Sequence, residues 1–153
     1  MSKERTILAA IQTQIKNVNG SGSYTFDLSG ADQVVLGEAF QPHRIPGCYV
    51  YFLNVTTAQT PGTTVLTRYD RTMNCQIEAW TAAENSTPAN AALEAVDLMD
   101  DIMRALEADR SLGGNVRDIE ISASSLDGQE LDRPGLGLCI LQLVVRYTET
   151  AGA

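Results

Sequence analysis

Between Arg68 and Val116 the apolar positions recur first at every second residue and then at every third or fourth. In the first part Val65, Tyr69, Met73, Cys75, Ile77 and Ala79 fall on one face, and Arg68, Asp70, Thr72, Asn74, Gln76 and Glu78 on the other. That period predicts a strand with one buried and one wet face. At about 3.3 Å per residue such a strand reaches roughly 50 Å, so it either bends at a bulge or projects at its outer end, where it favours pairing between subunits. The second part predicts a helix capped near Thr87, with Pro88 in its first turn, where a missing N–H costs little. Ala92, Leu93, Val96, Met99, Ile102, Met103 and Leu106 form its predicted sheet-facing stripe. Glu94, Asp97, Asp101 and Glu107, with Asp100 and Asp109 nearby, form a predicted solvated face interrupted only by Arg104 and Arg110. Gly113-Gly114 supplies the expected left-handed stop.

Before this stretch, Ile7, Leu8, Ile11, Ile15 and Val18 predict a first helix capped by Ser2. Gly20-Ser21-Gly22-Ser23 breaks it. Tyr24, Phe26 and Leu28, the turn residues 29–32 and then Gln33 to Leu36 read as a hairpin. Gly37 to Gly47, with Pro42, His43 and Pro46, predicts an irregular loop, followed by a strand from Tyr49 to Val55 and a second loop around Pro61-Gly62. Further along, Val116 to Ser124 reads as a strand with Ile119, Ile121 and Ala123 inward, followed by an acidic loop at Asp127, Glu130 and Asp132. Leu136 to Tyr147 is apolar on both faces, as expected of a central or doubly covered strand. The order predicts one α+β domain over residues 1–153, with a mixed or antiparallel sheet of five to six strands and two helices on one face.

A chain of 153 residues is long enough to bury a core without staples. The net charge of -8 argues against nucleic acid as a primary partner, because affinity for DNA comes largely from Lys and Arg. Cys48, Cys75 and Cys139 are widely spaced among apolar neighbours and read as buried free thiols, in keeping with folding in a reducing cytoplasm. The first residues do not form a signal peptide, and no apolar run approaches the roughly 20 residues of a membrane span. His43 has no nucleophile-elbow partner, the glycines form neither phosphate-binding pattern, and the carboxylates of the second helix lack a calcium-loop or His-bearing metal motif. Trp80 reads as a core or interface residue. No catalytic, cofactor or metal site is predicted.

Several segments resemble, in register, the tail terminator proteins of long-tailed bacteriophages. Pro46-Gly47-Cys48-Tyr49-Val50-Tyr51 is similar to their strand opening, and Arg71 to Trp80 to the long strand before their second helix. Most specific are Pro88-Ala89-Asn90-Ala91-Ala92 through Asp101-Ile102-Met103-Arg104-Ala105-Leu106, and then Leu112-Gly113-Gly114-Asn115-Val116. The last strand, ending at Arg146-Tyr147, also matches. The resemblance implies a tail-terminator-like fold and a homo-hexameric ring in the virion, assembled in the host cytoplasm. Such a ring caps the head-proximal end of the tail tube, stops tube polymerisation and meets neck and head-completion proteins. Genomic DNA passes through it without sequence-specific binding.

Ring subunits use heterologous contacts that close by rotation. On that view Arg44, Ile45 and Pro61 from the loops, and Arg68 and Arg71 from the polar strand face, are the expected subunit or tube contacts. Asp97 and Asp101 are the expected lumen charges, since like charges let DNA pass without adhering. Another neck connector shares every one of these features. A small α/β enzyme, the reading from a different class, needs convergent polar groups in a pocket; an unrelated α/β binding module needs neither pocket nor ring.

Overall fold

The computed structural model describes residues 2–37, 44–59, 68–82, 88–126 and 136–150. Helix α1 (Lys3–Ile15) begins where expected: the Ser2 hydroxyl accepts the Arg5 amide at 3.2 Å, and Ile7, Ile11 and Ile15 are fully buried, with Val18 just beyond the end. The strands are β1 (Val34–Leu36), β2 (Gly47–Gln59), β3 (Arg68–Ala82), β4 (Asp118–Leu126) and β5 (Leu136–Thr150), and helix α2 (Pro88–Glu107) lies between β3 and β4. They form one mixed sheet in the order β1-β2-β3-β5-β4, parallel only between β1 and β2. This is the α+β architecture expected. The alternation along β3 is as read: Met73, Cys75, Ile77, Ala79 and Thr81 are buried and their neighbours only partly so. β5 is central, and its Cys139, Leu141, Leu143, Val145 and Tyr147 join α1 and α2 in one core. Both helices therefore cover the same face, and among the described residues the other is helix-free.

Four expectations are corrected. The hairpin over Tyr24 to Leu36 does not form. Only an isolated bridge, Asn19 to Asp27, appears before β1, and β1 pairs in parallel with β2 through Val34 and Cys48. The cause is side-chain competition for the backbone. The Thr25 and Phe26 amides go to the Asp101 carboxylate, and the Gln33 side chain bonds Gly30 N, Asp27 O and Pro46 O, taking up groups a ladder would have used.

The sheet-facing stripe of α2 is rotated from the one expected. Ala91, Ala95, Leu98, Ile102, Ala105 and Leu106 are buried, whereas Leu93 is 65% and Val96 43% exposed. Close approach decides this. A Cβ on Gly137 of β5 would lie 2.6 Å from the Ala91 carbonyl oxygen, so the helix backbone rides directly on the strand and only alanines fit between.

The helix also ends earlier than Gly113-Gly114, at Glu107. The Asp109 carboxylate accepts the amides of Ser111 at 3.0 Å and Gly113 at 2.7 Å, holding a run of turns that closes through left-handed Leu112, Gly113 and Gly114. Finally, Asp101 and Arg71 lie on the covered side of the sheet, as set out below.

Candidate interaction surfaces

The three thiols are buried. Among the described residues no group of His, Cys, Asp and Glu is arranged to hold a metal ion, and no helix is long and apolar enough to cross a membrane. One shallow concavity of about 300 Å³ on the helix-free face is lined by Ser122, Ala123, Ser124, Ile140 and Gln142. It presents hydroxyls and an amide but no titratable group, and so offers no general acid or base.

The residues expected at contacts scatter. Arg44 and Ile45 are exposed where the chain enters β2, and Arg44 Nη1 donates to the Ala31 carbonyl at 2.9 Å. Arg68 is exposed at the outer end of β3, and Pro61 and His43 lie outside the described residues. The loop at Asp127, Glu130 and Asp132, and the Thr87 cap, lie outside them too.

Arg71 does not belong to the polar strand face. It shares parity with Met73, and its Nη1 lies 3.1 Å from Glu4 on α1 and 2.6 Å from Glu149 on β5, the latter without hydrogen-bond alignment. It ties the helix to the sheet.

Asp97 is exposed on α2, in keeping with a charge that faces solvent. Asp101 is 1% exposed. Its Oδ2 accepts the Thr25 and Phe26 amides, each at 2.8 Å, and its neighbour Arg104 reaches the Ser23 carbonyl at 3.3 Å. Burial pushes the Asp101 carboxyl upward and the two backbone bonds pull it back, leaving it raised on balance. It is an anchor for residues 23–26, and its place three after Leu98 and four before Ala105, inside the true stripe, was the signal in the sequence.

The helix-free face is a lattice of polar groups, mostly uncharged. Tyr51, Gln76 and Glu78 are joined across β2 and β3, and Asn74 donates to Asn54 at 2.7 Å. Charge sits toward one end, where Arg146 meets Glu120 at 2.9 Å and Arg117 meets Asp70 at 3.4 Å.

Among the exposed large apolar groups, Leu36 ends β1 and Ile45 precedes β2, and two pairs lie on β2 and α2. On β2 these are Phe52, 45% exposed, and Leu53, 44%, flanking a register shift between Phe52 and Asn54. On α2 they are Leu93 and Val96, one turn apart. Arg110 binds the Asp118 carboxylate at 3.0 Å and the Ile119 carbonyl, closing off the start of β4. No protein-family model matches the chain, and no curated protein is significantly similar to it.

Proposed function

We propose that this chain is a structural ring subunit of the tail-terminator kind, capping the head-proximal end of a phage tail tube and joining it to the neck. The reading rests on the resemblance of the segments around Pro46, Pro88, Asp101 and Leu112. The observation that carries it is the presence of two unlike apolar surfaces, Phe52 with Leu53 and Leu93 with Val96. A subunit that contacts its neighbours through two different surfaces closes into a ring when the rotation permits. A net charge of -8 with Asp97 outward favours a lumen that does not hold DNA. Another neck connector has the same physics and differs only in its place in the particle.

Native mass spectrometry across a concentration series tests the reading. Six copies of a 16.5 kDa chain give a closed particle of about 100 kDa. The expected result is that discrete species, seen as a ring by negative-stain electron microscopy, with or without tail tube protein added. A protein that stays monomeric alone and forms no ring on tubes overturns it.

A further inference from the structure

Beyond Val50, where β1 stops, no described strand pairs with the outer side of β2. The run Phe52 to Ala58, Phe-Leu-Asn-Val-Thr-Thr-Ala, carries no charge and no proline, and every residue but the half-buried Val55 is exposed. Strand edges of independent monomers are guarded by lysine, proline or a bulge that hides them. Among the described residues the irregularity at Leu53 is the only such device, and it leaves both Phe52 and Leu53 out in solvent. Such an edge is built to be covered.

Among the described strands the other free edge of the sheet is β4. With Arg110 already on Asp118 and Ile119, the run left open is Glu120 to Leu126, seven residues, the same number as Phe52 to Ala58. The directions also agree. β2 opposes β3, β3 opposes β5 and β5 opposes β4, so β4 runs antiparallel to β2. A neighbouring copy related by rotation therefore presents its β4 to β2 in the antiparallel sense with both sets of helices on the same face.

We infer that the Phe52 to Ala58 edge is occupied by Glu120 to Leu126 of a second copy of this chain, so that the sheet continues from subunit to subunit. Pairing Asn54 to Ala58 with Glu120 to Ser124 matches inward with inward and outward with outward residues throughout. Val55 faces Ala123 and Thr57 faces Ile121 on the helix side, and Asn54 faces Ser124 and Thr56 faces Ser122 on the polar side. Glu120, the single charge, faces Ala58, so no like charges oppose. The inference deepens the ring reading and rests on it for the number of copies, not for the contact.

The double variant Thr56→Cys with Ser122→Cys tests it in the full chain, since both positions are exposed and the three native thiols are buried. Mild oxidation should give disulfide-linked multimers from the double variant and none from either single variant. Leu53→Lys should weaken self-association at least tenfold with an unchanged far-UV circular dichroism spectrum. A linked dimer from Thr56→Cys alone, or from Ser122→Cys alone, means like edges pair and overturns the inference. A hexamer that the double variant does not link also overturns it, and leaves the ring reading standing. Linked open chains without a closed ring keep the edge contact and remove the ring. A chain monomeric at every concentration overturns the edge contact.

Discussion

The Tyr147 hydroxyl donates a 2.6 Å hydrogen bond to the Glu4 carboxylate, joining the first turn of α1 to the far end of β5. Glu4 also takes Arg71 at 3.1 Å, so one carboxylate gathers two elements of the sheet under the helix. Burial and the neighbouring carboxylate push the Tyr147 hydroxyl upward, which keeps it a donor.

Tyr147→Phe should lower unfolding free energy by about 1.5–3 kcal/mol, as for a bond to a charged group, measured by urea denaturation. The Tyr147 bond is the first cause holding Glu4 below the ordinary carboxylate range, with its own backbone and Arg71 adding to it. A depressed folded value means that this stabilisation is complete above the unfolded value and is lost as pH falls through the folded one. Glu4→Gln should therefore show a smaller loss of Tm on acidification than the parent. An identical pH dependence would remove Glu4 from the list of groups that govern acid stability.

Asp101 should behave in the opposite sense. Its folded value is raised, so its contribution is present below the unfolded value and declines as pH rises through the folded one. Asp101→Ala strands two amides and should cost about 2–5 kcal/mol at neutral pH, whereas Asp101→Asn retains an acceptor oxygen and should cost less. Hydrogen exchange at Thr25 and Phe26 is the specific readout, with protection lost in the alanine variant. Protection that survives there would show these amides to be held by something else.

Gly137→Ala should destabilise the protein by about 1–3 kcal/mol, because the new methyl meets the Ala91 carbonyl oxygen and not a movable side chain. Thermal melting with a readout at α2 checks it. A neutral effect would mean that helix and strand separate freely.

Leu98→Ala should cost about 2–5 kcal/mol and Leu93→Ser less than about 0.5 kcal/mol in the monomer, since Leu98 is fully buried and Leu93 is exposed. Equal costs would restore the helix face read from sequence.

The thiols offer a separate check on the core. Burial pushes Cys75 and Cys139 up to about 12 and Cys48 upward as well, so the native protein should give no fast reaction with a thiol reagent near neutral pH and three equivalents in denaturant. Rapid labelling of even one would contradict the burial of all three.

What periodicity encodes was legible. The α1 stripe, the alternation of β3 and the central place of β5 follow from spacing, since each depends on the chain's own apolar pattern. What depends on one side chain meeting a distant backbone was not. The Asp101 bonds to residues 25 and 26 cancel a hairpin that local alternation favours, and the α2 face turns on how near Gly137 lets Ala91 come. Arg71, polar by residue type, lies on the helix side of β3 because its parity is that of Met73. Of the expected contact residues, Arg44, Ile45 and Arg68 are exposed and Asp97 is outward, while the uncharged edge from Phe52 was overlooked because Tyr49 to Val55 reads equally well as an interior strand.

The strand order carries a consequence for synthesis. β5, the last of the described strands in chain order, sits between β3 and β4, both of which precede it in the chain. Until it is made, the hairpin of β2 and β3 and the strand β4 have no strand to join them into one sheet, and Glu4 has no tyrosine to hold. Most of the long-range strand pairing therefore waits until β5 has been made, and a ribosome-stalled fragment lacking β5 should be open to proteases along most of its length.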